Sequence, residues 1–253
     1  MFKRRERRTE ESGPYWKQRS WQLSAVFIAL VFLLGGIAQL VSGRGGTGDG
    51  ASGAVVSDGP LPDSSHNAKD SRPDGCRTDD SAGGTKPNAA PKDVSWRTLG
   101  VAQVPVSASA GPTLMEGPLW WCFAHTQTGA ALAATVIPSQ MSGSHWKAVT
   151  DRQVVAGAGR RIWEFERGTV KNIDSAADTD VAIATYVGFS VTSYTSTAAA
   201  VRLLLKSDSG YAATTIDLRW SGGDWKLLAD GSGSLHSPVS SVSNTDGFIV
   251  WGV

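Results

Sequence analysis

The longest apolar stretch of the chain runs from Leu23 to Val41 and contains no charged residue. At about 1.5 Å of rise per residue, a helix of these 19 residues crosses a hydrocarbon layer roughly 30 Å thick. A cleaved signal peptide is the alternative, but its apolar region is usually shorter and is followed by a small-residue cleavage site. The best candidate site, Gly36–Ala38, lies inside the apolar run. We therefore predict an uncleaved transmembrane helix over residues 23–41.

The residues before this helix are basic. Residues 1–22 contain seven Lys and Arg side chains against three Glu side chains. The positive-inside rule places such a tail in the cytoplasm, and Trp16 and Trp21 lie where an aromatic belt meets the membrane interface. We therefore expect a single-pass protein of the plasma membrane, in contact with its lipid. Residues 1–22 are expected to be cytoplasmic, and the C-terminal part extracellular.

Residues 42–90 differ sharply in composition from the apolar run before them. They are rich in Gly, Ser, Asp and Pro, contain few aliphatic residues and show no periodicity. Such a segment buries too little apolar surface to offset the entropy cost of ordering it. The composition predicts a disordered extracellular tether over residues 42–90, followed by one folded extracellular domain over residues 91–253.

Helices are predicted in the first half of that domain. Thr126 or Thr128 is suited to cap a helix over Gly129–Ile137, which Pro138 would end. This helix is apolar on nearly every side, so we expect it to be buried. A second helix is predicted over His145–Val155, because apolar residues recur on one of its faces.

The second half of the domain changes to the two-residue period of β-strands. Apolar and polar residues alternate from Thr215 to Trp220, as in a half-buried antiparallel strand. The predicted strands are Val181–Val191, Ala198–Lys206, Tyr211–Trp220 and Asp224–Ala229. The apolar segment Phe248–Val253 is expected to dock onto the fold. The predicted class is α+β, with two to three helices on a curved antiparallel sheet.

The chain contains two cysteines, Cys76 and Cys122. Outside the cell an even pair of cysteines is typical of a disulfide, which would hold the segment Cys76–Val94 against the domain. Two free thiols are the alternative. A metal site is not predicted, because no His or Cys spacing suits a tetrahedral cage, and no cofactor is expected.

The sequence contains two weak signals for catalysis. Ser144 and Lys147 match the S-x-x-K pattern of serine acyl enzymes, but the companion K-T-G motif is missing, so a helix start is the better interpretation. His125 and His145 form a conceivable acid–base pair, although a histidine between apolar residues is more often a core residue. We therefore predict that the protein is not an enzyme.

Charged and aromatic residues together mark a candidate partner surface. Arg160, Arg161 and Trp163 lie in one short segment, and Trp and Arg dominate the binding energy of many interfaces. The alternative for this segment is an ordinary amphipathic edge without function. Trp251 is a second candidate contact residue if it is exposed. The net charge of +1 argues against direct binding of nucleic acid.

The layout of the whole chain resembles a known architecture. A single span, a tether, small-residue helices and a final hairpin, Trp220–Leu227 (WSGGDWKL), resemble the cone-shaped extracytoplasmic domains of the nuclear-transport-factor-like superfold. The blocks Trp121–Ala134 and Gly247–Val253 resemble segments of uncharacterised actinobacterial single-pass membrane proteins. Some of these are similar in layout to VirB-type and clostridial conjugation scaffold proteins of type IV secretion. Mce-associated transporter proteins and penicillin-binding-protein accessory domains share this layout.

The resemblance implies a non-enzymatic scaffold subunit of a cell-envelope complex that serves conjugative DNA transfer. Its expected partners are other membrane or envelope proteins, with a homo-oligomer as a further possibility. A small-ligand or lipid-binding module, or a transporter-associated protein, is the alternative, because cone domains of this kind enclose a pocket. A pocket enzyme is the third hypothesis.

Overall fold

The computed structural model describes residue 72 and residues 74–174 and 184–252. The basic tail over 1–22, the transmembrane helix over 23–41 and most of the tether lie outside these residues. Within the described part of the chain, no helix is long and apolar enough to cross a membrane. The fold class is α+β, as predicted, with three helices and antiparallel sheets.

Within residues 74–174 and 184–252, ten strands form one large sheet and two separate hairpins. The strands are β1 (Val94–Leu99), β2 (Ala102–Ser107), β3 (Leu114–Glu116), β4 (Leu119–Trp121), β5 (Thr185–Tyr194), β6 (Ala198–Ser207), β7 (Gly210–Ser221), β8 (Asp224–Leu227), β9 (Ser240–Val242) and β10 (Ile249–Val250). The large sheet has the order β10-β5-β6-β7-β8, and β9 pairs with the other half of β7. β1 pairs with β2 and β3 with β4, each as an antiparallel hairpin.

The central helix packs directly on the large sheet. The helices are α1 (Gln127–Gln140), α2 (Trp146–Gln153) and α3 (Ala158–Arg167). Almost every residue of α1 is buried, and its alanines allow the close approach to the strands that a bulkier helix would prevent. Strand β5 shifts register against β6 at Tyr186/Gly188 and at Val191/Ser193, and such bulges bend a sheet around the helix beneath it.

Helix α1 begins as predicted and ends later than predicted. The Thr126 side chain accepts a hydrogen bond from the Gly129 N–H at 3.1 Å, which caps the first turn. Pro138 lies inside the helix rather than at its end, so the prediction that it ends the helix is wrong. The Ser139 hydroxyl then donates to the Thr135 carbonyl oxygen at 2.8 Å, and the helix continues to Gln140.

The hairpin between β7 and β8 is closed by a two-residue connection. Gly222 and Gly223 form the two-residue turn with φ angles of 62° and 78°, a left-handed pair that glycine adopts without strain. Trp220 then lies opposite Trp225, and Ser221 opposite Asp224. The turn therefore brings two tryptophans and one carboxylate to the same end of the sheet.

Residues 74–90 pack against the domain, as expected for the segment Cys76–Val94 when the disulfide forms, whereas the disordered tether predicted over residues 42–90 is wrong for this part. The Asp79 N–H donates to the Ser109 carbonyl oxygen at 2.8 Å, and the Gln127 side chain donates to the Gly84 carbonyl oxygen at 2.7 Å. These contacts and the disulfide between Cys76 and Cys122 offset the entropy cost of ordering a segment with few apolar residues. We call Arg72 together with residues 74–90 the strap.

Candidate functional site

A disulfide joins the strap to the body of the domain. Cys76 and Cys122 are bonded, as the sequence predicts, with their Cα atoms 5.5 Å apart. Arg72 lies beside this bond: its guanidinium donates to Cys76 Sγ at 3.1 Å and forms an ion pair with Asp80 at 2.9 Å. The strap is thus bonded to the domain through Cys76, and within the strap Arg72 connects Cys76 to Asp80.

Cys122 begins a four-residue segment, Cys122–His125, which leads from β4 to the Thr126 cap of α1 and which we call the clamped loop. All four of its N–H groups donate to oxygen atoms elsewhere in the fold. Cys122 and Phe123 donate to Asp224, Ala124 donates to the Ala110 carbonyl and His125 donates to Asp80. A buried loop needs such partners, because each unpaired backbone group costs free energy.

The four carbonyl oxygens of the clamped loop are also paired. The Thr113 N–H donates to Cys122, Arg72 to Phe123, the Trp225 indole to Ala124 and the Tyr194 hydroxyl to His125. Most of these partners are side chains that lie far from the loop in sequence. The loop therefore has no regular structure of its own and is held by the strap, β5 and the β7–β8 hairpin.

Asp224 lies at the centre of this arrangement. Its carboxylate is fully buried and accepts hydrogen bonds from the N–H groups of Cys122 at 2.7 Å and of Phe123 and Trp225 at 2.9 Å. Cys122 has a φ angle of 71°, in the left-handed region that non-glycine residues rarely adopt. Successive N–H groups around such a residue form a concave anion site, which the carboxylate fills.

Burial raises the pKa of Asp224 to about 6, although the N–H groups of Phe123, Cys122 and Trp225 and the charge of Arg72 favour the carboxylate. Its ordinary pKa of 3.8 is lower, so folding takes up a proton between these two pH values. The stability that this group contributes is therefore full below its ordinary pKa. It is lost as the pH rises through about 6.

Asp224→Asn should remove this pH dependence. In the unsubstituted protein, the contribution of Asp224 to the free energy of unfolding should fall by about 2 kcal/mol between about pH 4 and about pH 7, because the buried carboxyl must lose its proton. In the variant this contribution should be absent, whatever the variant's absolute stability. Urea unfolding followed by tryptophan fluorescence at several pH values measures both slopes.

Asp230→Asn is the matched control. Burial works against ionisation of Asp230, but hydrogen bonds from Ser232, Ser234 and Gly233 together hold its pKa below the usual value. Asp230 is therefore ionised in both states above about pH 5, and its substitution should leave the slope from there to about pH 7 unchanged. Parallel profiles for the unsubstituted protein and Asp224→Asn would contradict the assignment to Asp224.

Aromatic side chains surround the clamped loop on its outer side. The His125 ring stacks on Trp220 with centroids 3.8 Å apart, and Trp225 meets Trp220 edge-on at 5.3 Å. The Arg72 guanidinium lies 5.1 Å from the Trp220 ring centroid, a cation–π distance. His125 Nε2 lies 2.6 Å from the Ser196 carbonyl oxygen, which can only accept, so this nitrogen carries the proton.

The weak catalytic signals of the sequence have structural roles. No contact within the described residues joins His125 to His145, which immediately precedes α2. The Ser144 N–H and hydroxyl both donate to Asp174, at 2.7 and 3.0 Å, and the Lys147 ammonium lies 5.5 Å from the Trp146 ring centroid. Ser144 therefore connects the segment before α2 to Asp174, and no side chain caps the start of α2. Among the described residues no group of three or more His, Cys, Asp or Glu side chains could hold a metal ion.

The structure divides the candidate partner surface on α3. Trp163 is only 3% exposed, and its indole donates to the Thr150 hydroxyl, so this side chain belongs to the core. Arg160 is half-buried and forms ion pairs with Asp151 and Glu164. The exposed face of α3 carries Arg161 with two apolar side chains, Ile162 at 37% and Phe165 at 78% exposure. An exposed face of α3 thus remains around Arg161, and Trp163 is not part of it.

Trp251 is a core residue, so the prediction that it contacts a partner is wrong. It is 1% exposed and stacks on Phe189 with ring centroids 4.3 Å apart. Strand β10 holds the tail beside β5, and the Trp96 indole donates to the Gly252 carbonyl oxygen at 3.0 Å. Sequence gives Trp251 an apolar neighbourhood but cannot show that β5 lies beside it.

Sequence reasoning missed three residues that bind the clamped loop. Arg72 and Asp80 lie within four residues of Cys76, so the disulfide prediction itself places them near Cys122. Asp224 follows two glycines in a tight turn, where a carboxylate usually only shapes the turn. Its true partners lie about a hundred residues earlier, and no local pattern reveals them.

Residues 58–250 match the family described as Domain of unknown function (DUF8175). The chain belongs to this family. The comparison with curated proteins found no match, and neither did the comparison with solved structures. The stretch matched by the DUF8175 family contains the strap, both cysteines, the clamped loop and the β7–β8 hairpin. The strap is thus part of the family's domain rather than a linker that precedes it.

Proposed function

We propose that the protein is a non-enzymatic scaffold subunit of a cell-envelope complex that serves conjugative DNA transfer. Residues 23–41 anchor it in the plasma membrane, residues 1–22 are cytoplasmic, and the DUF8175 domain lies outside the membrane and binds other envelope proteins. The layout of span, tether and domain, and its similarity to type IV secretion scaffolds, support this proposal. The net charge of +1 supports a role without direct binding to DNA.

The fastening of the strap is the observation that carries the proposal. The chain enters the domain at Arg72, and the disulfide, the Arg72–Asp80 ion pair and the clamped loop hold this entry point against the β7–β8 hairpin. A fixed entry point keeps the same face of the domain turned towards the tether, which suits a domain that presents a partner surface.

The contacts of the polar side chains around the clamped loop also favour a scaffold over an enzyme. Asp224 has the raised pKa that often marks an acid or base, yet its two oxygens bind three backbone N–H groups inside the fold. Arg72, Asp80 and Tyr194 likewise bind the backbone of the clamped loop. These groups hold the chain in place rather than facing a substrate.

The packing beneath the sheet favours a scaffold over a ligand-binding module. Helix α1 is buried on nearly all sides, and its alanines lie against the strands. The Tyr186 hydroxyl, a polar group facing this interior, is hydrogen-bonded to the Ser139 hydroxyl at 3.2 Å. A module for small ligands or lipids instead needs a cavity with polar groups directed into it.

The proposal predicts specific partners for the full-length protein. Chemical crosslinking in membranes of the native host, followed by capture through a tag on the N-terminus, should recover the secretion ATPases or channel subunits of a conjugation machine. Recovery of lipid-transport or cell-wall synthesis proteins instead would contradict the conjugative role. A deletion strain that transfers its resident element at the normal rate would also contradict it.

A photo-crosslinking amino acid at position 165 sharpens this test. Phe165 projects from α3 beside Arg161 and Ile162, and aromatic residues next to arginine are typical of interface centres. Crosslinks to the subunits recovered in the capture experiment should form from position 165. They should not form from position 209, where Ser209 is exposed in the turn between β6 and β7. Equal yields from the two positions would exclude α3 as the contact.

A further inference from the structure

The two sulfur atoms of the disulfide lie in unequal environments. Cys122 is completely buried within the clamped loop, and its Sγ accepts a hydrogen bond from the Thr113 hydroxyl at 2.8 Å. Cys76 is only half-buried on the strap, between the exposed residues Gly75 and Arg77. The Cys76 side of the bond is therefore the more open of the two to an incoming nucleophile, because the fold covers Cys122.

We propose that Cys76 is the sulfur at which this disulfide is exchanged by an extracytoplasmic dithiol oxidoreductase, which opens and closes the joint between strap and domain. The proposal rests on the proposed function in one respect, namely that the domain lies outside the membrane, where such enzymes act. Cys76 is the exchange residue, and Cys122 is the buried resolving residue that re-forms the bond.

The exchange is a pair of thiol–disulfide substitutions. The thiolate of the oxidoreductase forms a bond to Cys76 Sγ while the Cys76–Cys122 bond breaks, and the electron pair leaves on Cys122 Sγ. The second thiol of the oxidoreductase, as thiolate, then attacks the oxidoreductase sulfur that is bonded to Cys76 in the mixed disulfide. The bond to Cys76 Sγ breaks, and the Cys76 thiolate is released. The domain gains two electrons and two protons, and the oxidoreductase is oxidised to its disulfide. Closing the joint is the reverse sequence.

Neighbouring groups stabilise both leaving thiolates. The Thr113 hydroxyl donates to Cys122 Sγ, the sulfur that leaves in the first step. The Arg72 guanidinium donates to Cys76 Sγ at 3.1 Å, the sulfur that leaves in the second step. A positive charge or a hydrogen-bond donor beside sulfur favours the thiolate and makes it a better leaving group. A disulfide with a purely structural role has no need of a donor on each sulfur.

Opening the bond would loosen the entry point without unfolding the core. The strap would remain in contact through the Asp80 carboxylate, which accepts from the His125 N–H, and through Gln127, which donates to the Gly84 carbonyl oxygen. These are individual hydrogen bonds, each with a modest net contribution. The joint between anchor and domain would therefore change from fixed to displaceable.

Sulfite tests which sulfur is attacked, because it cleaves a disulfide into one S-sulfonate and one thiol. The full-length protein in detergent micelles is treated with sulfite, quenched in acid, alkylated under denaturing conditions and mapped by mass spectrometry. We expect S-sulfonate on Cys76 in at least about tenfold excess over Cys122, because access selects the sulfur attacked. The same reaction in concentrated guanidinium chloride is the control and should label both cysteines.

Equal labelling of the two cysteines in the native protein, or an excess on Cys122, would overturn the proposal. The excess on Cys76 must also disappear in guanidinium chloride, since selectivity that survives unfolding is not produced by the fold. This result is independent of the proposed scaffold function. Sulfite reports on the sulfur environments whatever partners the crosslinking experiment recovers.

Discussion

Replacing Arg167 with Met should lower the free energy of unfolding by roughly 3 to 5 kcal/mol. The substitution removes a buried guanidinium and leaves the oxygen atoms that accept its hydrogen bonds unpaired. Arg167 is 3% exposed and donates to the carbonyl oxygens of Met141 at 3.0 Å, Ser142 at 2.7 Å and Val170 at 3.1 Å. It also donates to the Asn172 side chain at 3.0 Å. Methionine fills a similar volume but donates no hydrogen bond.

The position of these acceptors explains why the expected loss is large. Met141 and Ser142 directly follow the C-terminus of α1, where carbonyl groups lack helical partners and the helix dipole is negative. Arg167 comes from α3 and also stacks on Trp146 of α2 at 5.2 Å. One side chain thus connects the ends of all three helices, and its removal should weaken their packing together.

Arg161→Met is the matched control for this prediction. Arg161 lies on the same helix and is exposed, so its substitution should change stability by no more than about 0.5 kcal/mol. Urea unfolding of both variants, monitored by tryptophan fluorescence, gives the comparison. Equal losses for the two variants would show that Arg167 acts through the general properties of α3 and not through the carbonyls it pairs.

Arg167 also shows where sequence reasoning fails in this protein. Its segment alternates charged and aromatic residues, a pattern typical of a solvated helix edge. The structure instead buries Trp163 and Arg167 on one side of α3 and exposes Phe165 on the other. Both sides of this helix carry arginines and an aromatic residue, so composition alone cannot assign the inner face. The contacts made by α1 and α2 decide it.

Local signals succeed where the physical cause is local. The Thr126 cap, the Gly222–Gly223 turn and the alternating residues of β7 are each fixed by neighbours within a few positions. The disulfide is predicted because only two cysteines exist in the chain. Asp224, by contrast, functions through the backbone of Cys122 and Phe123, and a long-range pairing of this kind leaves no periodic pattern.

Replacing both cysteines with alanine should lower the free energy of unfolding by about 4 kcal/mol, the chain-entropy value for a closed loop of 46 residues. The effect arises mainly in the unfolded state, which gains conformational freedom when the link is removed. The folded state should keep its structure, because Asp224 and Asp80 still bind the backbone of the clamped loop.

The unsubstituted protein under a strong dithiol reductant is the control for the cysteine variant. Its stability should match that of the Cys76→Ala/Cys122→Ala protein, since both lack the link and differ only in two small side chains. A loss below about 1 kcal/mol in both would mean that the unfolded chain is already restrained near the strap, because removing the link would then free few conformations. A loss confined to the alanine variant would instead assign the effect to the buried Cys122 side chain, whose replacement leaves a cavity in the clamped loop.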